Sequence, residues 1–138
     1  MIHNWNVAGG GIISKEATKR EIEKGYFVNF TIRKSRSTGK KDKDNKTIYE
    51  TDFMDCECYV PKTDAGNSMM ENVFPRLKSR AEIFFVTAEL YVSQWEDKEG
   101  GKRSTPKFKF PSLYSISIYK EAPADTPSSS GDDEDSPF

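Results

Sequence analysis

A chain of 138 residues, 35% of them hydrophobic and with a mean hydropathy of −0.76, has the size of one domain with an appendage and room for only a modest core. No apolar run approaches the length of a membrane span and no charged-then-apolar leader opens the sequence, so a soluble, cytoplasmic protein with no membrane role is expected. The net charge of −1 hides an asymmetry: residues 125–138 hold five acids and no Lys or Arg, leaving 17 acidic residues against 21 basic ones elsewhere. A basic body with an acidic tail points to a polyanion-binding surface.

In chain order, residues 2–13 read as a first strand, interrupted by Gly9-Gly10-Gly11 as at a barrel corner. Residues 15–24 are charged and only weakly periodic, which predicts a loop or one helical turn. Residues 26–35 alternate clearly, with Tyr26, Val28, Phe30 and Ile32 facing the core and Phe27, Asn29, Thr31 and Arg33 facing out. A mobile, mostly basic hairpin loop is expected around Lys40 to Lys46. Residues 47–60 form a third strand in which Met54, Cys56, Cys58 and Val60 share the core face, leaving Phe53, Asp55, Glu57 and Tyr59 on the outer one. Ser68 and Glu71 fit a capping box for a short helix over residues 69–74. Residues 83–95 make a long strand that opens on the apolar run Ile83-Phe84-Phe85-Val86, and Gly100-Gly101 tips the hairpin that follows. Residues 108–119 predict a last strand pair interrupted at Pro111. Five strands, one short helix between the third and fourth, and long hairpin loops describe an all-β OB-fold, a five-stranded Greek-key barrel; an SH3-like barrel fits the pattern almost as well. The domain is expected over residues 1–120.

From Glu121 the composition turns to Ala, Pro, Asp, Thr, Ser and Gly, which predicts a flexible, disordered tether through the remaining residues. It ends in Asp132-Asp133-Glu134-Asp135-Ser136-Pro137-Phe138. Such an acidic end cannot enter a core, because each buried carboxylate would lose several kcal/mol of hydration. Two readings remain: a solubilising tail, or a linear motif whose ring enters a partner's pocket while its carboxylates meet a basic rim.

Outward aromatics on a sheet that also carries cations suit single-stranded nucleic acid, since rings stack on any base. Asp55 and Glu57 on that face would repel phosphates unless paired with Lys or Arg. Nothing in the sequence assembles a nucleophile with a base: His3 is the only histidine, and no Gly-x-Ser-x-Gly occurs. Cys56 and Cys58 read as small buried hydrophobes rather than a disulfide or a zinc site. Carboxylates such as Asp52 and Asp55 could hold Mg²⁺, but such pairs are common in a chain with 31% charged residues. The expectation is a binding protein, not an enzyme, with no cofactor and no metal.

The run from Ala88 through Leu90, Trp95, Asp97 and Gly100-Gly101 to Thr105 resembles the fourth strand and following hairpin of bacterial-type single-stranded DNA-binding proteins. Thr51-Asp52-Phe53 is similar to that family's Thr-Glu-Trp on strand three, Tyr59 falls where the family carries another stacking ring, and the acidic Pro-Phe end matches its partner-docking tip. The resemblance covers roughly residues 2–118 plus the tail. It implies base stacking by Phe53, Tyr59 and Trp95, for which partial core burial is the alternative. It also implies phosphate contacts by Arg33, Lys34, Arg36, Lys40 and Lys41 on one side of a groove and by Lys98, Lys102, Arg103 and Lys107 on the other. Asp132, Asp133, Glu134, Asp135, Pro137 and Phe138 would dock replication and recombination proteins. Trp5 is expected as a core or subunit-contact ring, in keeping with possible homo-oligomers. The chain departs from the pattern at Phe53 (usually Trp), at Arg33 to Arg36 (often with a further Trp) and in its short tether, as in a phage or mobile-element member. The competing expectation is an OB-fold module that binds RNA or docks proteins.

Overall fold

A computed structural model of the chain describes residues 5–123. The elements are β1 (Trp5–Ile22), β2 (Gly25–Lys41), β3 (Thr47–Pro61), α1 (Asp64–Asn72), β4 (Glu82–Glu96), β5 (Lys102–Phe110) and β6 (Ile116–Lys120). β1 pairs antiparallel with β2 and with β4, β2 with β3, and β5 joins β3 (parallel) to β4 (antiparallel). The ring β1-β2-β3-β5-β4-β1 therefore closes, with the helix inserted between β3 and β4. This is the five-stranded Greek-key barrel of the OB-fold.

Closure puts β1 between two neighbours where its backbone must come close to both. A Cβ on Gly10 would stand 2.6 Å from the Ile83 carbonyl oxygen, and one on Gly11 would stand 2.8 Å from that of Arg33. Only glycine leaves the ladders undisturbed at that corner. Bulges at Val7/Gly9, Ile13/Lys15 and Lys15/Thr18 bend the strand further.

The alternation expected on β2 and β3 is present. Val28, Phe30, Ile32, Cys56, Cys58 and Val60 are buried, joined by Ile13, Ile83, Phe85, Ala88 and Phe110. Phe110 packs edge-on to Phe85, with centroids 5.0 Å apart, and stacks with Phe30 at 6.0 Å. The Ile83-Phe84-Phe85-Val86 run splits by parity, with Ile83 and Phe85 inside and Phe84 and Val86 exposed.

Several expectations are corrected. Residues 15–22 are neither loop nor helical turn; they extend β1 against β2. Only an inner side needs apolar groups there: Ala17 is half-buried and its amide donates to the Leu77 carbonyl at 2.9 Å, while the charged neighbours face water. The basic hairpin loop is present but shorter than expected, because Lys40 and Lys41 still belong to β2 and the turn covers residues 42–46. Its turn is held by the Asp42 carboxylate, which accepts from the Asp44 and Lys46 amides at 2.8 and 3.0 Å, and Asn45 takes a φ of 63°. The helix starts earlier than Ser68: Thr63 is its cap and accepts from the Gly66 amide at 3.1 Å. The two strands expected on either side of Pro111 are present, but the first starts earlier, at Lys102, and they do not pair with each other. β5 and β6 each pair with β4, separated by a 3₁₀ turn at Leu113–Ser115. Trp5 is not a core ring, being 74% exposed. No helix among the described residues is long and apolar enough to cross a membrane.

Both cysteines are buried and free. Burial, reinforced by the Glu57 charge, pushes the Cys58 thiol up to about 12; burial and Asp55 push Cys56 higher still. A disulfide-exchange thiol reagent at pH 8 should therefore leave the native protein unlabelled and modify both cysteines in denaturant. Fast labelling of the native protein would contradict this packing.

Candidate nucleic-acid interface

Side chains of opposite parity to the core share one outer face of β2, β3, β5 and β4, and pairing aligns them in cross-strand rows. One row runs Lys15, Thr31, Asp55, Lys107, Tyr91. The next runs Thr18, Asn29, Glu57, Lys109, Glu89. Beyond it Arg20, Phe27 and Tyr59 are in register, and at the opposite end Arg33 pairs with Phe53 and Trp95 with Arg103.

The three rings expected to stack all stand on this face: Phe53 is 63% exposed, Trp95 49% and Tyr59 41%. Each is held differently. The Tyr59 hydroxyl donates to the Lys24 carbonyl at 3.1 Å, and its ring lies 5.3 Å from that of Phe27, over which the Arg20 guanidinium sits at 5.0 Å. Gly25 makes room for it, since an added Cβ would come within 2.9 Å of the Tyr59 ring. Trp95 donates from Nε1 to Thr105 Oγ1 at 3.3 Å, which fixes the indole on the β4–β5 hairpin beside an open hollow of about 680 Å³ that Lys102 and Arg103 also line. Phe53 borders a smaller hollow of about 310 Å³ with Arg33 and Lys34.

Charges on the face are largely matched. Asp55 accepts from Thr31 Oγ1 at 3.0 Å, and the Glu57 carboxylate lies 3.7 Å from Lys107 and 3.9 Å from Lys109. The repulsion anticipated from Glu57 is thereby offset, whereas Asp55, bonded to a neutral hydroxyl, keeps its charge. The cations divide into two sets. Arg36 is tied to Glu50 and Asp52, both at 2.9 Å, and Arg103 to Asp97 at 3.0 Å. Arg33, Lys34, Lys40, Lys41, Lys98 and Lys102 form no ion pair among the described residues. By strand alternation Lys34 and Arg36 leave the ribbon on the side opposite Arg33 and Phe53, so the expected basic group is not one cluster.

Residues left out of the predicted site also belong to the face. Tyr91 is 40% exposed with Lys109 Nζ 4.6 Å from its ring centroid, and Phe27 backs Tyr59. Their signal was parity, which Tyr91 shares with Trp95 and Phe27 with Arg33. Asp52 and Asp55 lie on opposite sides of β3, so the carboxylate pair weighed for Mg²⁺ does not converge, and no group of three His, Cys, Asp or Glu among the described residues could hold a metal. Asp132, Asp133, Glu134, Asp135, Pro137 and Phe138 lie outside the described residues.

No protein-family model matches the sequence, and no curated protein matches it. Solved structures do. The Plasmodium falciparum SSB in complex with ssDNA superposes with a TM-score of 0.61 at 12% identity, over 87% of this chain and 96% of that one. The mitochondrial single-stranded DNA-binding protein Rim1 of S. cerevisiae gives 0.57 at 15% identity, over 86% and 98%. A small single-stranded DNA-binding protein from Streptomyces coelicolor gives 0.57 at 13%, over 85% and 95%. The likeness is one of fold.

The hairpin that presents Trp95 turns on Asp97. Its carboxylate accepts from the Gly101 and Glu99 amides at 2.7 and 3.0 Å, and the Gly101 amide, Arg103 and then the Glu99 amide hold its pKa below the ordinary aspartate value. A pKa lowered by folding stabilises the turn above the unfolded value and loses that contribution as pH falls through the folded one. Protection of the Glu99 and Gly101 amides, measured against the unstructured exchange rate at each pH, should therefore hold at neutral pH and be lost only below the usual aspartate range. Asp97→Ala should remove that protection at every pH; unchanged protection in the variant would contradict the role of the carboxylate.

Proposed function

We propose that this chain binds single-stranded DNA with little regard to sequence, carries out no chemistry, and serves replication, recombination and repair by protecting exposed strands. The observation that carries the reading is the outer face itself. Phe53, Tyr91, Trp95 and the Phe27–Tyr59 pair are spread across the sheet with cations between and beyond them. Exposed rings on a closed barrel do nothing for the core, whereas bases stack on them at about 1–3 kcal/mol each and cations follow the backbone. The fold likeness supports the same reading, since the three structures named above are of single-stranded DNA-binding proteins and one holds ssDNA.

The rest of the proposal concerns segments beyond the barrel. Residues 1–120 form the binding domain and 121–138 a tether, whose Asp132, Asp133, Glu134, Asp135, Pro137 and Phe138 dock partner proteins. The charge asymmetry supports this, because an acidic end is repelled from the DNA that the basic body attracts. The exposed Trp5 at the start of β1 supports assembly of several copies through that strand. A short tether fits a phage or mobile-element member acting in a bacterial cytoplasm.

Titration with oligo(dT) should quench Trp fluorescence, with log affinity falling by about 0.7 per log unit of salt for each phosphate neutralised. Phe53→Ala and Trp95→Ala should each weaken binding by about 5- to 150-fold, the equivalent of 1–3 kcal/mol. No quenching at low salt would sink the reading, and tighter binding of oligo(U) would favour an RNA-binding module. Deleting residues 136–138 should leave DNA affinity equal or slightly higher and abolish partner binding; partner capture that survives the deletion would contradict the docking role.

A further inference from the structure

We propose that the hollow beside Tyr59 is a base-reading subsite that prefers guanine, set within binding otherwise indifferent to sequence; this rests on the single-strand reading above. The hollow, of about 360 Å³, is lined by Phe27 and Tyr59 on one side and by Glu57, Glu89, Lys109 and Asn6 among its polar groups. The rings give a base something to stack on. Among the polar groups, the Glu57 carboxylate sets hydrogen-bond acceptors beside the rings, which suits a base edge that donates hydrogen bonds.

Glu57 and Lys109 fix which edge fits best. The carboxylate and the ammonium stand side by side at 3.9 Å, an acceptor next to a donor. Guanine presents a matching sequence of groups on its Watson–Crick edge. Its N1–H and N2–H₂ are adjacent donors for the two carboxylate oxygens, and its O6 accepts from the ammonium. Cytosine and adenine offer a single amino group to the carboxylate. Thymine can match the ammonium and one carboxylate oxygen through a carbonyl and its N–H, but its second carbonyl then faces the other carboxylate oxygen, where guanine has its amine. The pair is also held before any ligand arrives. Glu57 is anchored from its other side by Lys107 at 3.7 Å, and Lys109 sits against the Tyr91 ring at 4.6 Å. Little ordering of these two side chains is then left to oppose binding.

The test compares three oligomers of equal length: all thymine, thymine with isolated guanines, and the same with hypoxanthine, which lacks the N2 amine, at the guanine positions. The wild-type chain should bind the guanine oligomer about fivefold or more tighter than the all-thymine one, with hypoxanthine falling back most of the way. Glu57→Ala should erase the difference and tighten oligo(dT) binding, because Lys107 and Lys109 lose their counter-ion. Equal affinity for guanine and thymine oligomers, hypoxanthine bound as tightly as guanine, or a guanine preference that survives in Glu57→Ala would each overturn the subsite. Oligo(dT) binding without a guanine preference overturns the subsite alone; failure to bind any of the three overturns the single-strand reading with it.

Discussion

β1 hydrogen-bonds along both edges, to β2 on one side and to β4 on the other, and that closure sets every inside–outside assignment in the barrel. An open sheet would leave unpaired edges and two candidate faces. Once the ring is shut, one parity on each strand must fill the interior and the other must face out. Gly10 and Gly11 permit the closure sterically, and the Phe30, Phe85 and Phe110 rings fill the space it encloses.

The outer parity then acquires its character without any further device. Register alone brings Tyr91 beside Lys107, Glu57 beside Lys109, and Phe27 beside Tyr59, although these residues are far apart in sequence. The face that results is mixed in charge rather than uniformly basic. Its centre alternates acid and base, and cations that form no ion pair among the described residues, such as Lys40, Lys41, Lys98 and Lys102, sit out on the two hairpins. Rings and base edges therefore dominate what the centre can recognise, while long-range attraction for a polyanion comes from the arms. Turn chemistry at Asp42 and Asp97 gives those arms a defined shape.

Much of this was legible in the sequence where a strand has one buried and one solvated face. The alternation at Val28, Phe30 and Ile32 and at Met54, Cys56, Cys58 and Val60 gave the core directly, and with it the outward placement of Phe53 and Tyr59. Residues 15–22 hid their strand because only Ala17 and Ile22 turn partly inward, and a charged segment at a barrel rim carries too few apolar groups to show a period of two. The helix start was masked by Gly66, a poor helix former that is used here because any Cβ would meet the Pro61 carbonyl. Ion pairing was invisible for a different reason. Which carboxylate neutralises Arg36, Arg103 or Lys107 depends on cross-strand register, and the sequence does not state it.

The central claim is that the face carrying Phe53, Tyr59, Tyr91 and Trp95 holds the strand, and mapping amide chemical shifts during an oligo(dT) titration tests it most directly. The account predicts that shifts concentrate on residues 27–33, 53–59, 91–95 and 103–109. Shifts confined to the opposite side of the barrel, around Phe84, Val86 and Tyr119, would contradict it.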